Sequence, residues 1–344
     1  MQVVALLPLG RFLARYDWCG IGCPPHERTW LLHAFIAKEV YQFPTREALH
    51  DALLARPTLR RLCGWESCAA IPSLSTFCRA FAQFAADELP QHLHAALVTQ
   101  HCGSKLVGHI SRDATAIAAP ERPAPAPVVT AAPAPVVTAA PATDVPPPPR
   151  KRGRPKKGEA RPAPSPTRLQ LQSQRSLAEN LADLPRACDS GAKCGAKGHR
   201  EYWRGYKLHL DVIDGDIPIS AVLTSASLHD SQVAIPLMQM SAQRVQALYE
   251  LMDAAYDAQP IHAFARRLGH VPIIEPVQRG DWVPLNPAQR QRFYERSASE
   301  RVNGRLKEFF GGRTVRVRGA TKVMCHLRFG ILAITALGLW ARLG

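Results

Sequence analysis

The sequence predicts an α/β fold in which a mixed sheet is covered by helices, preceded by an all-α segment and interrupted by a Pro/Ala-rich insertion. Three observations predict it. Before position 104 apolar residues recur at three- and four-residue intervals. After position 200, alternating or β-branched stretches are separated by helical ones. Between 118 and 149 the prolines withhold backbone donors and exclude a packed core.

The elements follow in chain order. Trp30, Leu31, Ala34, Phe35, Ala37, Val40 and Tyr41 make one apolar helical face. Thr45 is placed to cap a helix through Leu54, Gly64 to punctuate a turn, and Ser75 to cap Thr76–Ala86, whose Phe77, Ala80, Phe81 and Phe84 share a side. These helices form a first domain, residues 1–104, compatible with helix-turn-helix DNA binding. Lys105–Ser111 reads as a strand, and residues 105–117 open a second domain. Residues 118–170 read as a disordered linker. It holds two tandem copies of PAPVVTAA and ends its proline-rich part in Pro146–Pro149. In polyproline II form the 32 residues Ala118–Pro149 would span roughly 100 Å. Residues 171–344 carry the rest of the second domain: strands at Trp203–Val212, Ile217–Leu223, Val245–Met252 and Val271–Ile274, with helices at Ser227–Met240, Ile261–Leu268, Asn286–Phe310 and Thr321–Arg342. The order β, insertion, β, β, α, β, α, β, α, α combines a hairpin with right-handed crossovers on one sheet.

Composition bounds the function. In 344 residues, 43 Lys and Arg against 28 Asp and Glu give a formal charge of +15, which points to a polyanionic partner. A hydrophobic content of 46% excludes disorder throughout. The apolar run Phe329–Ala341 falls short of the ~20 residues that cross a bilayer, so no membrane is expected. MQVVALLPLGR has neither a basic n-region nor a cleavage site, and a cytoplasmic location is expected. Nine scattered cysteines suit reduced thiols. Cys188, Cys194 and His199 lack a tight Cys-x-x-Cys pair and a fourth ligand, so zinc is not expected there.

A carboxylate at the end of a buried strand is exposed at the rim of a sheet, where a cation can reach it. Asp113 in HISRDAT and Asp253 in YELMDAAYD stand at such ends, and Glu300 lies on the long helix. Taken singly, each has a plainer reading: Asp113 as a turn residue, Asp253 with Asp257 as a helix cap, Glu300 as an intrahelical ion pair with Arg296. Spacing favours the chemical reading. At about 100° per residue, Phe293, Arg296, Glu300, Asn303 and Lys307 fall within roughly 80° of one face, while Ala298, Val302, Leu306 and Phe309 form an apolar face opposite. An acid flanked by phosphate-binding cations suits a metal that acts on nucleic acid, and carboxylates with substrate phosphates are the usual setting of Mg²⁺.

These residues carry a resemblance. Phe293, Arg296, Glu300 and Lys307 keep the spacing Tyr, two residues, Arg, three residues, Glu, six residues, Lys that marks the third acid of DDE-type transposases of bacterial insertion sequences, with Phe in the tyrosine place. RGYKLHLDV, LTSASLHDSQ, LMDAAYDA and GRTVRVRGATKV are also similar to this family, and LRRLCGWE with IPSLSTFCRAF is similar to its helical N-terminal domain. The resemblance implies an RNase H-like core and a transposase that cuts and joins DNA with two Mg²⁺ ions, Mn²⁺ being able to substitute. It implies Asp113, Asp253 and Glu300 as catalytic metal ligands. Asp211, at the end of a neighbouring strand but within a hairpin, competes with Asp113 for the first place. Arg296, Lys307 and Asn303 would contact DNA, and His229, Asp230 and Phe293 would lie near the site. The implied partners are double-stranded DNA, as terminal inverted repeats and target, and a second copy of the chain in a synaptic complex.

The insertion holds a second DNA signal. Arg150 to Lys157 carries six basic residues, and the Gly-Arg-Pro centre of segment 150–158 resembles an AT-hook. Arg152, Arg154, Lys156 and Lys157 are expected to bind DNA, because a narrow, extended Arg-Gly-Arg-Pro segment fits the electronegative minor groove of A·T tracts. A catalytically silent DNA-binding protein is the alternative; everything except the three acids fits it.

Overall fold

A computed structural model describes residues 2–22, 24–123, 166–194, 198–278 and 282–343. The basic segment 150–158 lies outside the described residues. The chain begins with two short helices, α1 (Gln2–Ala5) and α2 (Gly10–Leu13). Local signals set the next ones. Glu27 accepts from the Thr29 amide at the start of α3 (Arg28–Val40), and the Thr45 hydroxyl accepts from the Ala48 amide at the start of α4 (Arg46–Ala55), as its capping position predicts. Pro57 opens α5 (Pro57–Cys63), where its missing N–H costs nothing, and Gly64 closes it at φ 117°. The helix α6 (Leu74–Ala86) starts two residues earlier than expected: Ser73 is its cap and Ser75 lies inside it. The helix α7 (Leu89–Cys102) has no single periodic apolar face, since Leu89, Leu93, His94, Leu97 and Val98 bury more than one side of it.

The first strand, β1 (Leu106–Ala118), runs well past Ser111. Its far end is anchored by Glu121, which accepts hydrogen bonds from the Tyr206 hydroxyl and the Gly319 amide, so regular contacts continue beyond the compositional start of the insertion at Ala118. Regular structure also resumes before residue 171. The helix α8 (Arg168–Gln172) is followed by α9 (Leu177–Asp183), opened by a capping box between Ser176 and Glu179. Then come β2 (Asp189–Cys194), β3 (Arg200–Ile213), β4 (Ile217–Ser225), α10 (Ser231–Ala242), β5 (Gln246–Met252), α11 (Gln259–Arg267) and β6 (Val271–Ile274).

The five main strands stand in the order β4, β3, β1, β5, β6. The first two pairings are antiparallel and the last two parallel, so β1 sits centrally between a hairpin and the crossover strands. This is the RNase H-like arrangement. The added strand β2 pairs antiparallel with Arg200–Gly205 of β3. Asn286–Phe310 is not one helix. It divides into α12 (Pro287–Phe293), a 3₁₀ turn at Tyr294–Arg296 and α13 (Ser297–Phe309). Two hydroxyls meet at this junction: Ser111 donates to the Arg296 carbonyl at 2.6 Å from the sheet, and Ser299, three residues on, donates to the same oxygen at 2.9 Å.

The last helix, α14 (Ala320–Leu343), is apolar nearly all round because it is covered on two sides. Phe329 packs on Phe35 and Phe81 of the N-terminal helices, while Val323, Leu327, Ile331 and Ile334 join Leu208, Leu210, Val302 and Leu306 against the sheet. It is long and apolar enough for a membrane span by composition, yet most of it is buried inside the protein. The N-terminal helices, α14 and Val107, Ile110 and Ile213 of the sheet share one hydrophobic cluster. Phe309, assigned to the apolar face of α13, is 47% exposed at the helix end.

Candidate active site

Strand register brings the first two acids together. Parallel pairing sets Ile110 beside Glu250 and Ser111 beside Leu251; two residues further the same register places Asp253, just past β5, beside Asp113. Adjacent strands lie about 4.8 Å apart and residues two apart share a face, so both carboxylates stand on the face that α13 covers. The helix is stapled to that face. Ser111 bonds Ser299 at 2.8 Å as well as the Arg296 carbonyl, and the Asn303 amide donates to Asp113 Oδ2 at 3.0 Å. Asn303 is therefore a buried partner of the acid; the expected direct DNA contact is corrected, because the side chain is 5% exposed and already engaged.

Burial pushes the Asp113 carboxyl up to about 6, and the like charge of Asp253 adds to the effect against the Ala114 amide, Arg296 and Lys193. Asp253 is also raised, by burial first and by Asp230, while its Oδ1 accepts from the Ala255 amide and caps the turn that follows. The cap reading of Asp253 thus holds, for a 3₁₀ turn, and the same carboxylate stands beside Asp113. Glu300 is differently placed: its side chain is 53% exposed and it is bound to Arg296. Arg296 interacts with all three acids, pairing with Glu300 and lowering the other two. Phe293 belongs to the preceding helix, but its ring lies 5.6 Å from the Arg296 guanidinium and supports it.

Lys307 is half-buried beside Asp113; burial, Lys193 and Arg313 lower it. Asp230 is held by Lys207 at 2.8 Å and its charge reaches Asp253, whereas His229 is exposed and bonds Ser231. Asp211 is not at the site. It is fully buried on the other face, bidentate to Arg112, which also pairs with Glu250 at 2.8 Å. Alternation explains the difference: Arg112 and Asp113 are neighbours on β1 and point to opposite sides of the sheet. Lys193, on β2, went unnoticed in the sequence because no motif marks it; its charge acts on Asp113, Asp253 and Lys307.

Two family models match the chain: a transposase domain (DUF772) over residues 2–83 and a transposase DDE domain over residues 181–336. Their order is that of the two regions just described. The chain belongs to the DDE-type insertion-sequence transposases. Neither a curated protein nor a solved structure matches it. Asp253, Glu300, Arg296 and Lys307 of the transposase lie inside the DDE match, whereas Asp113 falls between the two matched spans.

This family acts on DNA and generally uses divalent metal ions. The residues of this transposase fit such an ion. Its site donors are hard carboxylate oxygens, two of them raised and in need of a cation, and the Oδ1 of Asn303 is buried without a partner next to Asp113. Among the described residues, however, no three His, Cys, Asp or Glu side chains are gathered as a metal site, since Glu300 is turned to Arg296. Cys188 is a buried free thiol and His199 is exposed.

Proposed function

We propose that this transposase cleaves DNA at the ends of its own element and joins the freed 3′-hydroxyl to target DNA, with Asp113, Asp253 and Glu300 as the acids of the site. The reading rests above all on the register of Asp113 and Asp253 beneath the helix that carries Glu300. Two Mg²⁺ ions, or Mn²⁺, held by the three acids would supply Lewis acidity toward the attacking and leaving oxygens.

The chain's own residues do the rest. Arg296, just before α13, and Lys307, within it, flank Glu300 and hold the backbone on each side of the scissile phosphate, and Lys193 adds a third cation over the same acids. Asn303 fixes the rotamer of Asp113 through its amide. In the first transfer water adds to the phosphorus and the 3′-oxygen leaves as a hydroxyl; in the second that hydroxyl attacks a target phosphate and displaces a target 3′-oxygen. Holding two ends at once would use a dimer. The helices of residues 1–104 and the basic segment 150–158 would supply further DNA contacts, the latter with preference for A·T tracts.

Glu300→Gln is expected to abolish Mg²⁺-dependent cleavage of a labelled fragment bearing the inverted repeats that flank the gene, with binding retained. Cleavage by that variant would remove Glu300 from the mechanism. The pairing of Glu300 with Arg296 is the observation that favours a catalytically silent DNA-binding protein. Tight binding without cleavage by the unaltered chain in Mg²⁺ or Mn²⁺ would decide for that alternative.

A further inference from the structure

The antiparallel pair β2–β3 extends past the main sheet: residues 200–205 pair with β2, and β1 joins β3 only from Gly205 on. Its two faces differ. One carries Lys193, Glu201 and Trp203, with Trp203 packed on Gly191. This is the side whose charges reach Lys307.

The other face presents Arg200, Tyr202 and Arg204, all exposed, with Tyr202 at 71%. Opposite Tyr202 and Arg204 stand the small residues Ala192 and Ser190, too short to cover those long side chains, and Arg200 pairs across with Cys194. None of the three side chains makes a hydrogen bond or ion pair among the described residues. The acids nearby are committed elsewhere: Asp189 accepts from Ser227 and the Ser190 amide, Glu121 from Tyr206 and Gly319, and Glu201 points to the opposite face.

A tyrosine between two arginines at alternate positions, without an acid, is a poor surface to leave in water and a good one for a polyanion with flat bases. The arginines are separated by about 13 Å along the strand, roughly the rise of four phosphates on one DNA strand. Ribbons of two strands are also narrow enough to enter a groove.

We propose that the Arg200–Tyr202–Arg204 face of the β2–β3 ribbon docks on duplex DNA, the arginines gripping phosphates and the tyrosine packing between them. The inference rests on the transposase reading and extends its DNA surface to a face that the catalytic acids do not touch. Because β3 is hydrogen-bonded to the strand bearing Asp113, DNA held by the ribbon is held in fixed relation to that acid.

The test is equilibrium binding of the full chain to a short G·C-rich duplex in EDTA, over a range of salt. Such a duplex gives the Gly-Arg-Pro segment least advantage. Arg200→Ala/Arg204→Ala is expected to weaken binding about tenfold or more and to make the dependence of log K on log salt shallower by about two. Tyr202→Ala is expected to weaken it several-fold with the slope unchanged, and Tyr202→Phe to restore most of the loss. Since the three side chains are exposed, thermal melting of each variant should match the parent. Parent binding that all variants leave intact, in affinity and slope, would overturn the ribbon proposal alone. Loss of self-association without loss of DNA affinity would assign the face to contact between copies and overturn it too. Absence of DNA binding by the parent chain would overturn it together with the proposed function.

Discussion

Asp113→Asn should stabilise this protein while destroying its chemistry. In the folded chain the Asp113 carboxyl is raised from its ordinary 3.8 to about 6, chiefly by burial and then by Asp253. At about 1.36 kcal/mol per pH unit the displacement corresponds to at most about 3 kcal/mol. The side chain keeps some contact with solvent, so about 1–3 kcal/mol is the expected range. The sign follows from proton binding. Between about pH 4 and 6 the folded state holds a proton that the unfolded state has released, so wild-type stability falls as pH rises through that window and the deficit is complete above it. An amide has no charge to desolvate and can still accept from Asn303 and the Ala114 amide. Urea unfolding in EDTA should therefore show the variant more stable at about pH 8 and nearly equal to wild type at about pH 4. Added Mg²⁺ should raise wild-type stability at the higher pH and leave the variant unmoved. A variant less stable than wild type at about pH 8, or an advantage that persists unchanged in acid, would refute the reasoning.

Other outcomes follow from the same structure. Arg112→Met leaves Asp211 and Glu250 buried without their shared cation and should cost roughly 3–5 kcal/mol in chemical denaturation, whereas replacing all three by apolar residues should cost far less; equal losses would show that the buried charges are not coupled. Gly205→Ala should lower stability by more than about 2 kcal/mol, because the residue sits at φ 146° and a Cβ there would lie on the Ile117 carbonyl oxygen, and a calorimetric melt at the parent temperature would contradict that.

Much of the fold was legible because it is written in local signals. Thr45, Pro57 and Gly64 punctuate the N-terminal helices through capping, a fixed φ and a left-handed stop. The β-branched runs of the sheet stand out by composition alone. Signals failed where contacts from afar decided the outcome. Between Asn286 and Phe310 no proline or glycine marks the junction at Tyr294–Arg296, where Ser111, from a strand 185 residues away, meets the Arg296 carbonyl. The helix α7 hides its period because it is buried on more than one side. At the insertion composition and contacts part: composition changes at Ala118, but Glu121 is tied down by Tyr206 and Gly319.

The candidate site divides in the same way. Sequence by itself determined the spacing of Arg296, Glu300 and Lys307, since a helix converts fixed intervals into one face. It also determined that Asp113 and Arg112 must part, one to each side of the sheet. It could not choose between Asp113 and Asp211, because both end hydrophobic strands in one dimension. Tertiary structure separates them: the register of β1 with β5 sets Asp113 beside Asp253, while Arg112 takes Asp211 into the opposite layer. It also brought Lys193 and Asn303 to the acids, from a strand and a helix that no motif connects. The physical reason is that side-chain direction is a property of the local backbone, whereas strand register and the cost of burying a charge are settled between segments that only folding brings together.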